Sequence, residues 1–176
     1  MEDRLNRQQW LDAGLEQIAA EGAGGLRIMP IAQRLGVTKG SFYWHFRDLA
    51  GYQAALLQEW EASRTQQIIE HVETTGGDAA ARLRTLMTIT LRSDARLAQA
   101  VRAWATTDTA VADAVARVDK KRLSYLAALL RELGWSKVDA STLAHWAYCA
   151  LLGHFSMRAP RLTAQQIDLL LDRFKA

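Results

Sequence analysis

A short stretch of the 176-residue chain concentrates side chains able to meet an anionic polymer. Between residues 27 and 47 stand Arg27, Arg34, Lys39 and Arg47 with no carboxylate among them, a local charge of +4. Interleaved with these cations are Thr38, Ser41, Tyr43, Trp44 and His45, which supply hydroxyl, phenol, indole and imidazole groups. Residues 1–26 carry the opposite balance, five carboxylates against Arg4 and Arg7, net −3. Opposite charges segregated over so short a span turn one face toward something anionic. The chemistry on offer is recognition, since ammonium, guanidinium and hydroxyl groups hydrogen-bond to base edges and phosphate oxygens.

The elements that must position these groups are short helices. Ile28, Ile31, Ala32 and Leu35 fall at i, i+3, i+4 and i+7, one face of a two-turn helix. Pro30 sits in its first turn, where a missing N–H costs little. Gly36 ends that helix, and Thr38 is placed to cap the next one with its hydroxyl. On the second helix Phe42 and Phe46, four apart, face the core and leave Lys39, Ser41, Tyr43, Trp44 and His45 on the other faces. Two short helices joined by a glycine turn, the second presenting cationic and hydroxyl groups, describe a helix-turn-helix. Lys39 and Ser41 then meet base edges in the major groove. Thr38, Tyr43 and His45 donate to phosphate oxygens, and Gly40 lets the backbone approach closely. Trp44 can stack on a sugar, touch a thymine methyl, or pack against Arg47.

The run Ile28-Met-Pro-Ile-Ala-Gln-Arg-Leu-Gly-Val-Thr-Lys-Gly-Ser-Phe-Tyr-Trp-His-Phe46 resembles the DNA-binding signature of the TetR family of bacterial transcriptional repressors. Trp10, Leu11, Ala13, Leu15, Ile18 and Gly22 agree more loosely, so the resemblance covers about residues 5–50. It implies a homodimer on double-stranded operator DNA, joined through the last two helices of each copy. It also implies a small-molecule effector held in the C-terminal bundle, whose binding moves the two helix-turn-helices apart. Carried over are phosphate contacts at Tyr43 and His45 and major-groove contacts at Lys39 and Ser41; Arg27, Thr38, Gly40, Trp44 and Arg47 complete the expected DNA-binding set. The chain departs from the pattern twice: Arg27 stands where a hydroxyl residue usually caps the second helix, and Leu49 where a phosphate-binding Lys usually stands. Arg47 is the nearest replacement for that lost contact.

Elsewhere, apolar residues recur at three and four, most clearly in Val111, Val115, Val118, Arg122, Leu126, Leu129 and Leu133, interrupted by Arg122. No segment alternates as a strand would. Glycine-rich breaks at 22–25, 36, 76–77 and 134, and Pro160, leave an all-α chain of about nine helices: 4–21, 28–35, 38–45, 48–73, 79–91, 94–105, 109–133, 139–157 and 163–174. We divide it into a DNA-binding domain, 1–50, and a helical effector and dimerisation domain, 51–176. Trp60, Met87, Trp104, Tyr125, Trp146 and Tyr148 are placed to line a pocket for a hydrophobic or aromatic effector. Leu151, Leu152, Phe155, Ile167, Leu170, Leu171 and Phe174 are placed at the dimer interface.

Composition narrows the class further. With 49% apolar and 23% charged residues the chain is globular, and its single cysteine, Cys149, forms no internal bridge and fits a cytoplasmic protein. The uncharged run 140–157 contains Ser141, Thr142, His145, His154 and Ser156, which reads as a buried helix and not a membrane span. His145 and Cys149, four apart, are too few for a metal site. There is no nucleophile elbow, HExxH pair or phosphate loop, and Gly22-Ala-Gly24-Gly25 fails as a dinucleotide fingerprint because Arg27 takes the place of its third glycine. The expectation is a regulator and not an enzyme, with no cofactor, and with a regulator lacking any small-molecule effector as the alternative.

Overall fold

The computed structural model describes residues 6–157 and 159–174, all of whose regular structure is helical. Helix α1 spans Arg7–Glu21, α2 Ile28–Arg34, α3 Lys39–Tyr43, α4 Leu49–Glu61, α5 Gln67–Thr75, α6 Ala79–Arg92, α7 Arg96–Trp104, α8 Thr109–Glu132, α9 Lys137–Ser156 and α10 Ala164–Asp172. A 3₁₀ turn, Ala23–Gly25, follows α1, and a π segment, Ala62–Gln66, joins α4 to α5. The chain forms two compact units: residues 1–62 with 96–115, and residues 63–95 with 116–176. These units are defined by packing, and the expected boundary at residue 50 lies inside the first.

The first unit is built around α1. Asn6 and Gln9 satisfy each other's backbone N–H groups in a capping box, which fixes where the helix starts. Its buried face, Trp10, Leu11, Leu15 and Ile18, meets α2, α4 and α7. Gly14 lies where α4 crosses: a Cβ there would stand 2.8 Å from Leu56 Cδ2 and clash with the Tyr52 hydroxyl. The aromatic centre comprises Trp10, Phe42, Phe46 and Tyr52, each 5% exposed or less. Its ring centroids lie 4.6–5.4 Å apart, close enough for edge and offset packing. The Tyr52 hydroxyl donates to the Trp10 carbonyl, and burial pushes the phenol's pKa up, only partly opposed by Arg34.

In the second unit Leu83, Leu91, Leu129, Leu130, Ala140, Ala144, Ile167 and Leu171 form one core. Ile167 and Leu171, expected at a dimer interface, belong to it: α10 packs on α6 and these two residues, four apart, face inward. Leu170 at 38% exposure and Leu169 at 58% are left on the outer side. Leu151 and Phe174 pack half-buried against the same core, and Leu152 and Phe155 are also half-buried. Trp135 ties the end of α10 down by donating its indole N–H to the Phe174 carbonyl at 2.8 Å.

The single long helix expected over 48–73 is interrupted by the π segment. Arg122 explains the local geometry. Its guanidinium donates to the Thr65 hydroxyl at 3.1 Å, the Arg64 carbonyl at 3.0 Å and the Tyr148 hydroxyl at 3.3 Å. A π turn leaves backbone carbonyls without their usual helical partners, and Arg122 supplies one from outside the helix. The residue that breaks the apolar stripe of α8 is therefore bonded to the helix break.

Candidate nucleic-acid interface

Every residue assigned to the DNA face lies in the first unit, on or beside α2 and α3. Gly36, at φ +69°, turns the chain between them in a conformation glycine tolerates best. Phe42 anchors α3 with no exposure, Phe46 with 5%. The opposite side is open: Lys39, Gly40, Tyr43, Trp44 and Arg47 are exposed, and Ser41 and His45 half-buried. Trp44 reaches 81% exposure and Tyr43 52%. Lys39 holds its ammonium 5.9 Å from the centre of the Tyr43 ring, so a cation and a phenol are presented together.

One local expectation changes. Thr38 takes the capping place with extended backbone, φ −82° and ψ 156°, but its hydroxyl caps no N–H; the Ser41 N–H instead bonds the Thr38 carbonyl at 3.1 Å. Arg27 likewise offers α2 no side-chain cap. Its guanidinium turns back to the Gly24 and Leu26 carbonyls, at 2.7 and 3.2 Å. Gln17, 4% exposed, accepts the Arg27 backbone N–H at 3.5 Å.

The start of α4 is settled by Asp48, which accepts the Gly51 N–H at 2.7 Å. Leu49 follows at 37% exposure, an apolar group where a cation was expected. Arg47 stands beside it with its side chain 95% exposed, 3.9 Å from Asp48. A pair so open to water is weakly held, and the guanidinium is available to a phosphate.

Residues 11–49 match the family model for bacterial regulatory proteins of the tetR family. That segment is similar to the DNA-binding region of the TetR family. Over 56 residues the chain is 38% identical to the class D tetracycline repressor protein of Escherichia coli, which covers 32% of this chain and 26% of that protein. It is 28% identical over 92 residues to the HTH-type transcriptional regulator AcrR of Shigella flexneri, covering 52% of this chain and 43% of the relative. The matched region thus spans a quarter to under half of these curated relatives. In fold the whole chain resembles a TetR transcriptional regulator from Legionella pneumophila, with a TM-score of 0.81 at 11% identity, covering 100% of both chains. That likeness carries the all-α architecture and nothing finer.

Outside the helix-turn-helix, the six aromatic and sulfur residues assigned to an effector pocket occupy different settings. In the first unit Trp60 is core, 2% exposed, and Trp104 is half-buried. In the second, Met87 packs against the core and Tyr148 is buried with its hydroxyl donating to Asp119 at 2.6 Å. Tyr125 donates to Glu73 at 2.5 Å; burial and then that carboxylate raise its pKa. The Glu73 pKa falls in turn, chiefly through the Tyr125 bond. Trp146 is corrected: at 72% exposure it stands on the outside of α9, because Ala140, Ala144 and Tyr148 take the inward positions. Among the described residues no group of three His, Cys, Asp or Glu side chains is placed to hold a metal, and no helix is long and apolar enough to cross a membrane.

The sequence reading missed Met29, 48% exposed on α2. The signal was present: Met29 is apolar but lies off the stripe of Ile28, Ile31, Ala32 and Leu35.

Proposed function

We propose that the protein is a sequence-specific DNA-binding transcriptional regulator, a homodimeric repressor released from its operator by a small hydrophobic effector. The observation that carries the DNA-binding part is α3 itself. Its inner side is pinned by Phe42, and its outer sides present Lys39, Tyr43 and Trp44, with Arg47 exposed in the link that follows, in a segment without carboxylates before Asp48. In this reading Lys39 and Ser41 meet base edges, while Tyr43, His45 and Arg47 hold phosphates. The division of labour is a DNA-binding domain at 1–50 and an effector and dimerisation domain at 51–176.

Dimerisation is supported by α9, which leaves Val138 at 74% and Trp146 at 72% exposure, large apolar groups that a second copy would cover. Two recognition helices on one dimer would enter successive major grooves about 34 Å apart.

The test is fluorescence anisotropy of the full-length protein on the DNA upstream of its own gene, against scrambled DNA, across a salt series. Preference for the specific site by roughly a thousandfold near physiological salt is the expected result. Lys39→Ala should relax sequence preference, and Tyr43→Phe should weaken binding to all sequences. Wild-type binding by both variants would refute the site assignment. Sedimentation as a monomer at micromolar concentration would refute the dimer.

A further inference from the structure

We infer that Trp44, flanked by Met29, reads thymine 5-methyl groups in the major groove; the inference rests on the DNA-binding reading above. Trp44 keeps helical backbone angles, φ −72° and ψ −25°, and successive residues turn by about 100°. Phe42 points into the core with no exposure. Gly40 and Trp44 therefore each lie about 160° away from it, one turn apart on the ridge directed straight out of the domain. Helical side chains lean toward the N-terminus, over the residue one turn before. For Trp44 that neighbour is Gly40, which carries no side chain.

The hydrogen-bonding groups of α3 flank that ridge. Ser41 is half-buried, and the Lys39 ammonium lies 5.9 Å from the Tyr43 ring centre. The large apolar side chain most open to solvent on this motif is Trp44, 81% exposed, carrying one N–H and otherwise apolar. On α2 the same holds in smaller measure. Arg34 donates to the Ala13 carbonyl and lies 3.9 Å from Glu16, which commits its flank of α2 to α1. Met29 lies about 140° round the helix from Arg34, on the other flank, and leaves its thioether 48% exposed. The major groove offers one apolar feature that distinguishes a base, the thymine methyl. Among residues 27–47 no carboxylate opposes the approach of DNA. An apolar reader on the outermost ridge of a basic motif matches that feature.

The test enriches bound duplexes from a random pool with the full-length protein, then replaces each enriched thymine by deoxyuridine, which removes the methyl and leaves every hydrogen-bonding group. Wild type should bind about fourfold more weakly per methyl lost, the equivalent of ~0.8 kcal/mol for burying one such carbon. Trp44→Ala should keep the wild-type unfolding temperature and be indifferent at the thymine with the largest effect. Met29→Ala should be indifferent at a second thymine; an unchanged response there removes Met29 from the assignment. Uracil tolerated at every enriched thymine would overturn the inference and leave the DNA-binding reading standing. A pool that yields no enriched sequence would overturn both.

Discussion

Replacing Gly40 by alanine adds a methyl to the outer ridge of α3, and its effects on folding and on binding should have opposite signs. A Cβ at Gly40 meets only the Thr38 Oγ1 at 3.5 Å, an ordinary contact. Nothing in the protein's own packing therefore requires glycine there. Alanine is favoured over glycine within a helix by up to about 1 kcal/mol, a gain reduced by the five-residue length of α3. The unfolding temperature should stay level or rise by about 2–4 °C. DNA binding should fall, because the added methyl fills the space that the bare backbone at Gly40 leaves open to the duplex. Losing one well-formed base contact costs about 1–3 kcal/mol, so affinity should drop by about 5-fold to about 150-fold.

Gly14→Ala is the internal contrast. There a Cβ would stand 2.8 Å from Leu56 Cδ2 and from Tyr52 Cζ, and closer to the Tyr52 hydroxyl. Overpacking of about 3 kcal/mol, offset by about 1 kcal/mol of helix propensity, leaves a net loss of about 2 kcal/mol and a fall of about 4–8 °C. Differential scanning calorimetry and anisotropy on the same preparations separate the two. Gly40→Ala protein that folds and binds DNA as wild type does would refute the argument that Gly40 serves close approach.

Three further outcomes are expected. Tyr52→Phe removes the buried donor to the Trp10 carbonyl and should lower unfolding free energy by about 1 kcal/mol in urea; an unchanged midpoint would mean that bond contributes nothing. Tyr125→Phe removes the largest cause of the depressed Glu73 pKa, so the Glu73 titration followed by NMR should move back up. A depressed carboxylate stabilises the fold above its unfolded pKa and loses that contribution as pH falls through its folded pKa, so the variant should be less stable than wild type above the carboxylate range and converge with it at acid pH. Arg122→Met completes the apolar stripe of α8, yet deprives Thr65 and the Arg64 carbonyl of their donor. It should destabilise by about 1 kcal/mol, and a gain in the unfolding midpoint would refute the role given to Arg122 at the π segment.

The helix-turn-helix was legible before any coordinates because its determinants are local. Ile31 and Ala32 are buried on α2 as their spacing required, Phe42 and Phe46 beneath α3, and Gly36 turns the chain between them with positive φ. Helical periodicity, a positive-φ glycine and charge segregation act over a few residues, so they survive without knowledge of the rest of the fold. Even here a finer detail failed: Thr38 occupies the capping place without its hydroxyl capping.

The sequence by itself determined an all-helical chain, its glycine-marked breaks, and a basic, carboxylate-free motif anchored by two phenylalanines. Tertiary structure alone decided which apolar side chains face inward in the second unit. Helix α9 is apolar on nearly all sides, so its pattern selects no face; packing chose Ala140, Ala144 and Tyr148 and left Trp146 outside. In α10 packing on α6 drew Ile167 and Leu171 into the core while Leu170 stayed out. The π segment is the clearest case, since its contacts with Arg122 span 57 and 58 positions of chain. No local pattern encodes a partner that distant; only the folded chain brings that guanidinium to those acceptors.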